Sequence, residues 1–201
     1  MNVWLSSAAS LTVVAIAIIS ARNYNHRGET YAEDKTHAGS IRHFRFVYRY
    51  LQITSIAAGI ASFWSHHPWL LKMHTSALLT VVGLTACAGT TWMFVSAKRA
   101  LGQNYSPCFD AYLPSAVVQN GLYGRIRHPI YTANILLLAA LFVASGSLWL
   151  LINTVVLFVY YNRSASTEER ELYSSYPEYA PYMARTGRFF PKLGAIPADS
   201  A

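Results

Sequence analysis

Two short motifs bring together the residue types that could do chemistry: Arg127-His128-Pro129 and Glu168-Glu169. Pro129 suits the first position of a helix, where its missing N–H is harmless. His128 precedes a proline, which pushes its backbone towards extended geometry. It therefore stands at a helix mouth whose free N–H groups favour anions, with the Arg127 cation beside it. One reading is a carboxylate or phosphate site. The other is that Arg127 reaches lipid phosphate while His128 caps the helix. The glutamates could accept a proton or hold a cation. Against that, Ser166-x-x-Glu169 has the spacing of a capping box, which predicts a short helix starting there. Under that reading Glu169→Gln is mild, because Gln also serves in the box, and Glu168 is the carboxylate left for function. Tyr173, Tyr176, Tyr179 and Tyr182, with Pro177 and Pro181 among them, read as aromatic anchors at a membrane interface.

The elements that position these residues are apolar helices. The 201 residues are 53% hydrophobic and only 12% charged, against roughly 25% charged in an average soluble domain. Runs without charge cover 3–21, 50–65, 75–97 and 129–162. A helix of about 20 residues crosses the ~30 Å hydrocarbon core. The last run holds 34 residues, about 51 Å as one helix, far more than the core needs. It is expected to fold back at Ser145-Gly146-Ser147, where small residues permit a tight turn. The sequence thus predicts an all-α polytopic membrane protein with about five transmembrane helices and a C-terminal helical hairpin, with the two motifs on the cytoplasmic side. Residues 1–97 hold three spans with a cytoplasmic loop at 22–49. Residues 98–193 form the chemically active part, and 194–201 read as a disordered tail. The missing positive n-region and cleavage site argue against a signal peptide in the first run.

The charge distribution agrees. The net charge is +7, and every Lys and Arg except Lys72 falls in segments 22–49, 98–127 or the tail after Asn162. Cations mark the cytoplasmic side, so the N-terminus is expected outside and the C-terminus inside. Topology accounts for the basic balance without nucleic acid. Ser55 with Gly59 and Gly83 with Cys87 have the spacing of small residues between packed spans. His66, His67 and His74 fit no metal-ligand pattern, and Cys87 and Cys108 form no CxxC, so no metal is expected.

In order along the chain, GLYGRIRHPIY, an apolar hairpin, and TEERELYSSYPEYAPYMARTGRFFP resemble the isoprenylcysteine carboxyl methyltransferase and phospholipid methyltransferase superfamily. The matching positions are Gly121 and Tyr123, then Arg127, His128, Pro129 and Tyr131, then Glu168 and Glu169. Tyr179, Tyr182, Arg188 and Pro191 complete them, with Leu101-Gly102 and Asn104-Tyr105-Ser106 upstream. Leu122 and Asn120 depart from the family's usual proline and aspartate. The resemblance implies an integral-membrane methyltransferase that uses S-adenosylmethionine. It carries cofactor contacts, at a cytoplasmic site, onto Tyr123, His128, Pro129, Ile130, Tyr131 and one of Glu168 or Glu169, and onto Val117 and Val118 by spacing. It also implies that Arg163 meets the acceptor and that Glu168 takes part in catalysis. The implied partners are membrane lipids and a lipophilic or lipid-modified acceptor: a prenyl-cysteine-like carboxylate, a lipid amine or a thiol. Arg163 would orient a carboxylate, whereas an amine or thiol must lose a proton to Glu168 or water. Two other readings are an NADPH-dependent sterol-reductase-like oxidoreductase, which shares a similar RHPxY and acidic pair, and an inactive protein of the same fold.

Overall fold

The computed structural model describes residues 3–24, 42–65, 72–105 and 114–192. His66, His67, Cys108, Ser106 and the tail 194–201 lie outside the described residues. Among those described, the chain is helical: α1 Val3–Tyr24, α2 Arg42–Trp64, α3 Ala77–Leu101, α4 Pro129–Ser145, α5 Leu148–Ser175 and α6 Tyr179–Arg185. Stretches Val3–Asn23 and Ala77–Asn104 are long and apolar enough to cross a membrane. The apolar α4 is shorter, at 17 residues, or about 25 Å.

The expected fold-back is present between α4 and α5. Gly146 closes α4 with φ 71°, a left-handed conformation that favours glycine. Its carbonyl accepts from Met73 N at 2.8 Å, so this turn lies beside the start of α3. The end of α2 meets the start of α1 at the same end of the bundle, where Ser6 Oγ donates to the Phe63 carbonyl at 2.9 Å. The long helices therefore alternate in direction. Lys72 lies at this end, and the motif residues gather at the other.

Small residues set the closest packing. A Cβ built on Gly83 of α3 would come within 2.5 Å of the Ala144 backbone nitrogen of α4. Thr80 Oγ1 donates to the Ala144 carbonyl at 2.9 Å, and Cys87 is fully buried on the same face. Ser55 of α2 accepts from Asn153 Nδ2 of α5 at 2.9 Å, joining those helices by a buried polar pair.

Three expectations of detail are corrected. Helix α2 starts at Arg42, before the apolar run, because its first turns are polar but still helix-compatible. Helix α3 continues through Lys98 and Arg99, which favour a helix C-terminus, and ends at Leu101 with Gly102 as its C-cap. No new helix starts at Ser166. Helix α5 runs unbroken to Ser175, and Ser166 Oγ donates to the Asn162 carbonyl four residues back. The capping box is therefore absent, since its serine is already inside a helix.

Candidate functional site

The continuation of α5 past its apolar part positions the acidic pair. Glu168 lies about 9 Å further along the axis than Asn162, where the uncharged run ends. Opposite it, segment 126–128 pairs with 187–188 through backbone hydrogen bonds. Arg127 N donates to the Gly187 carbonyl at 2.8 Å and His128 N to the Arg188 carbonyl at 3.1 Å. Thr132 Oγ1 donates to the Phe189 carbonyl at 3.0 Å, and Tyr182 OH to the Tyr123 carbonyl at 2.8 Å. These bonds fasten the segment after α6 across the mouth of α4. Tyr179 and Tyr182 are consequently buried, not interfacial anchors, while Tyr173 is exposed.

Glu169 is the hub. Its side chain is 4% exposed and accepts from Arg127 Nε at 2.8 Å and Arg188 Nη2 at 2.6 Å. His128 Nε2 lies 3.2 Å from the same carboxylate. Arg188 Nη1 also donates to Asn162 Oδ1 at 2.9 Å and Ser166 Oγ at 3.0 Å, so one guanidinium grips three successive turns of α5. Burial pushes the Glu169 carboxyl up, but the hydrogen bonds from His128, Arg188 and Arg127 outweigh it and hold the group well below the usual carboxylate range. The anion expected beside Arg127 and the helix mouth is thus the protein's own Glu169. Arg127 is an ion-pair partner, and the His128 side chain makes no capping hydrogen bond.

Glu168 is held differently. It accepts from Tyr131 OH and faces His128 Nδ1 at 3.5 Å. Among the described residues no Arg or Lys pairs with it. Burial raises its carboxyl above the ordinary value, and the His128 charge and the Tyr131 hydroxyl only partly offset this. Yet 25% of its side chain remains open. A half-buried carboxylate with open surface and no Arg or Lys partner is suited to receive a cation. Aromatic rings form a shelf beside it. Tyr131 stacks on Tyr161 at 4.3 Å between centroids and on His128 at 5.2 Å, in both cases nearly parallel.

The remaining positions named from sequence divide. Pro129 is buried at the first position of α4, and Ile130 packs beside Tyr131 and Tyr161. Tyr123 is buried in a 3-10 turn over Gly121–Gly124. Its phenol is held well above the usual range by burial and then by Tyr182, Glu168 and Tyr105, which places these groups around it. Val117 and Val118 are half-buried in the irregular segment before that turn and offer only apolar surface. Arg163 is exposed, about 140° around α5 from Glu168; the structure does not bring it to the cluster. Asn162 and Tyr161 belong to the site's framework and were not singled out from sequence, and Ser166, read there only as a helix cap, belongs to it as well. Their signal is spacing: Asn162, Ser166 and Glu169 lie on one helix face at i, i+4 and i+7.

A family model of phospholipid methyltransferases matches residues 78–179, which run from the start of α3 to the start of α6 and include both motifs. The cobalt-zinc-cadmium resistance protein CzcN of Cupriavidus metallidurans is 34% identical over 87 residues, covering 43% of this chain and 40% of that protein. The nickel-cobalt-cadmium resistance protein NccN of Alcaligenes xylosoxydans xylosoxydans is 27% identical over 147 residues, 70% of this chain and 62% of that one. The chain thus spans less than two thirds of the length of either relative. Among the described residues no group of three metal-ligating side chains occurs. With half its length matched, and with the RHPxY segment and the acidic pair joined in one cluster, the chain belongs to the phospholipid methyltransferase family.

Proposed function

We propose that this protein is an integral-membrane methyltransferase that binds S-adenosylmethionine and methylates a lipophilic acceptor. The observation that carries the reading is Glu168, a half-buried, accessible carboxylate that among the described residues has His128 but no Arg or Lys beside it, next to the Tyr131–Tyr161 shelf. That environment fits a cofactor carrying a sulfonium and an ammonium, since aromatic faces and carboxylates both attract such groups. S-adenosylmethionine, when bound, supplies a methyl group already activated on sulfur.

The residues then have distinct tasks. Glu168 holds the cationic end. Tyr131 and His128 fix the Glu168 carboxylate, and Glu169 fixes His128 through Nε2. The two arginines on Glu169 keep it ionised, so His128 is oriented between two carboxylates. Tyr123, Tyr161 and Phe189 exclude water, which strengthens every charge interaction inside. Arg163 is too far around α5 to hold an acceptor carboxylate at Glu168. The arrangement therefore favours an acceptor that loses a proton, an amine or thiol, with Glu168 Oε as the proton acceptor. Its raised carboxyl brings it closer to the pH at which such transfer is effective.

In the membrane, the five long helices would span in alternation, with the N-terminus outside and the site at the cytoplasmic face. The cation distribution supports this orientation. A cysteine placed at Lys72 should react with an impermeant reagent added to intact cells, and one placed at Lys192 should not; the reverse pattern would overturn it. For the activity, purified protein in detergent is incubated with methyl-labelled S-adenosylmethionine and a lipid extract. Label should appear in the organic-soluble fraction for the wild type and vanish for Glu168→Gln. Equal label in both would remove Glu168 from the reaction.

A further inference from the structure

Asn134 is a polar side chain set into the apolar helix α4, about 7.5 Å along the axis from Pro129. A polar group at that depth in hydrocarbon is costly, and such groups mark function more often than chance. Its Nδ2 donates to Tyr161 OH on α5 at 2.9 Å. A tyrosine ring pivots at its Cβ, so holding the hydroxyl at the far end removes that swing.

The ring held in this way is one end of a stack. Tyr131 lies on Tyr161 with centroids 4.3 Å apart and planes 5° from parallel, and His128 lies on Tyr131 at 5.2 Å and 7°. Tyr131 OH donates to Glu168, and His128 Nδ1 faces the same carboxylate at 3.5 Å. Contacts therefore run without a gap from Asn134 through Tyr161 and Tyr131 to Glu168. Asn134 and Tyr131 are three positions apart on one face of α4, so that face supplies both the Glu168 donor and the brace on the ring beside it. The turn at Gly146 already joins the two helices at their other end. What the amide adds is ring orientation at the site.

We infer that Asn134 is a positioning residue for Glu168, acting through the Tyr161 and Tyr131 rings. This rests on the reading of Glu168 as the group that receives the cationic end of S-adenosylmethionine. Without the amide, Tyr161 swings, Tyr131 tilts with it, and the bond from the Tyr131 hydroxyl to Glu168 weakens. That bond favours the ionised carboxylate, the form a cation needs. The other titratable groups around Glu168 are His128 on α4, Glu169 on α5 and Tyr123 in the turn before α4.

The test is calorimetry with S-adenosylmethionine across pH, in detergent, on wild type, Asn134→Leu, Tyr161→Phe and the double variant. Each single change should weaken binding roughly 2- to 12-fold, the worth of one neutral hydrogen bond. The pH at which affinity falls off should move upward in both, since Glu168 loses part of what keeps it ionised. The double variant should bind no more weakly than either single one, because both changes remove the same bond. Tyr161→Phe keeps the ring in its stack and decides the question alone where Asn134→Leu does not fold. Wild-type affinity and pH dependence in Tyr161→Phe would overturn the assignment. So would single losses that multiply in the double variant, or a lower melting temperature with the wild-type pH dependence, which marks a bond that only joins α4 to α5. A folded wild type that binds no S-adenosylmethionine would overturn the cofactor reading, and this assignment with it.

Discussion

Glu169→Gln will destabilise the protein by about 3–5 kcal/mol, the range for breaking a buried charge pair by removing one partner. In a chain of this size that corresponds to a fall in melting temperature of roughly 6–20 °C. The reason is geometric. Arg127 and Arg188 converge on this one carboxylate at 2.8 and 2.6 Å, and glutamine leaves both guanidiniums without a counter-charge. Arg188 also anchors the segment after α6 to Asn162 and Ser166, so the loss spreads to the pairing of 187–188 with 126–128. The pH dependence follows from the depressed Glu169 carboxyl. A carboxyl lower in the folded state than in the unfolded one stabilises at pH above the unfolded value, about 4.3. That contribution fades as pH falls towards the folded value. The difference in melting temperature between wild type and Glu169→Gln should therefore be constant from pH 8 to about 5 and shrink below about 4. A difference under 2 °C at neutral pH would show that the hub carries no stability.

Glu168→Gln should do the opposite: little to stability, much to binding. Burial raises the Glu168 carboxyl, and no Arg or Lys partner among the described residues compensates its charge. A carboxyl raised in the folded state stabilises when protonated, and that contribution is lost as pH rises through the folded value. At neutral pH the ionised Glu168 is therefore a cost, and the neutral amide should leave the melting temperature unchanged or higher. Affinity for S-adenosylmethionine should fall roughly 10- to 150-fold, since the interaction lost is between a carboxylate and a cation. In the wild type the same affinity should weaken as pH drops, beginning above the ordinary glutamate range because the group is raised. Calorimetry across pH reads both effects. Wild-type affinity in Glu168→Gln would remove this residue from the cofactor's surroundings.

The contrast between the neighbours shows where sequence reasoning stopped. The hairpin was legible, because 34 uncharged residues are too many for one crossing and Gly146 is the residue that accepts φ 71°. The helix-packing role of Gly83 and Cys87 was legible from spacing alone. The spacing points to Glu168 only by elimination from the capping box, whereas the structure shows it half-buried with no Arg or Lys partner among the described residues. Sequence spacing suggested that Glu169 served a helix cap with Ser166, making its change to Gln mild. In the structure Ser166 bonds back to Asn162 within an unbroken helix, and Glu169 meets Arg127 and Arg188, 42 and 19 positions away along the chain. Local spacing cannot register partners supplied by such distant segments. Tyr179 and Tyr182 were misread for the same reason: Tyr182 is buried, and it donates to the Tyr123 carbonyl, 59 positions away along the chain. Lys98 looked like one more cytoplasmic cation, until α3 was seen to carry it on the face that packs inward.

The central claim is that the cluster where the start of α4 meets the last turns of α5 receives S-adenosylmethionine. The most direct measurement is calorimetric titration of the wild-type protein in detergent with S-adenosylmethionine and, in parallel, with NADPH. The account predicts saturable binding of S-adenosylmethionine at one site per chain and no binding of NADPH. Saturable NADPH binding, or no binding of S-adenosylmethionine to a folded protein, would contradict it.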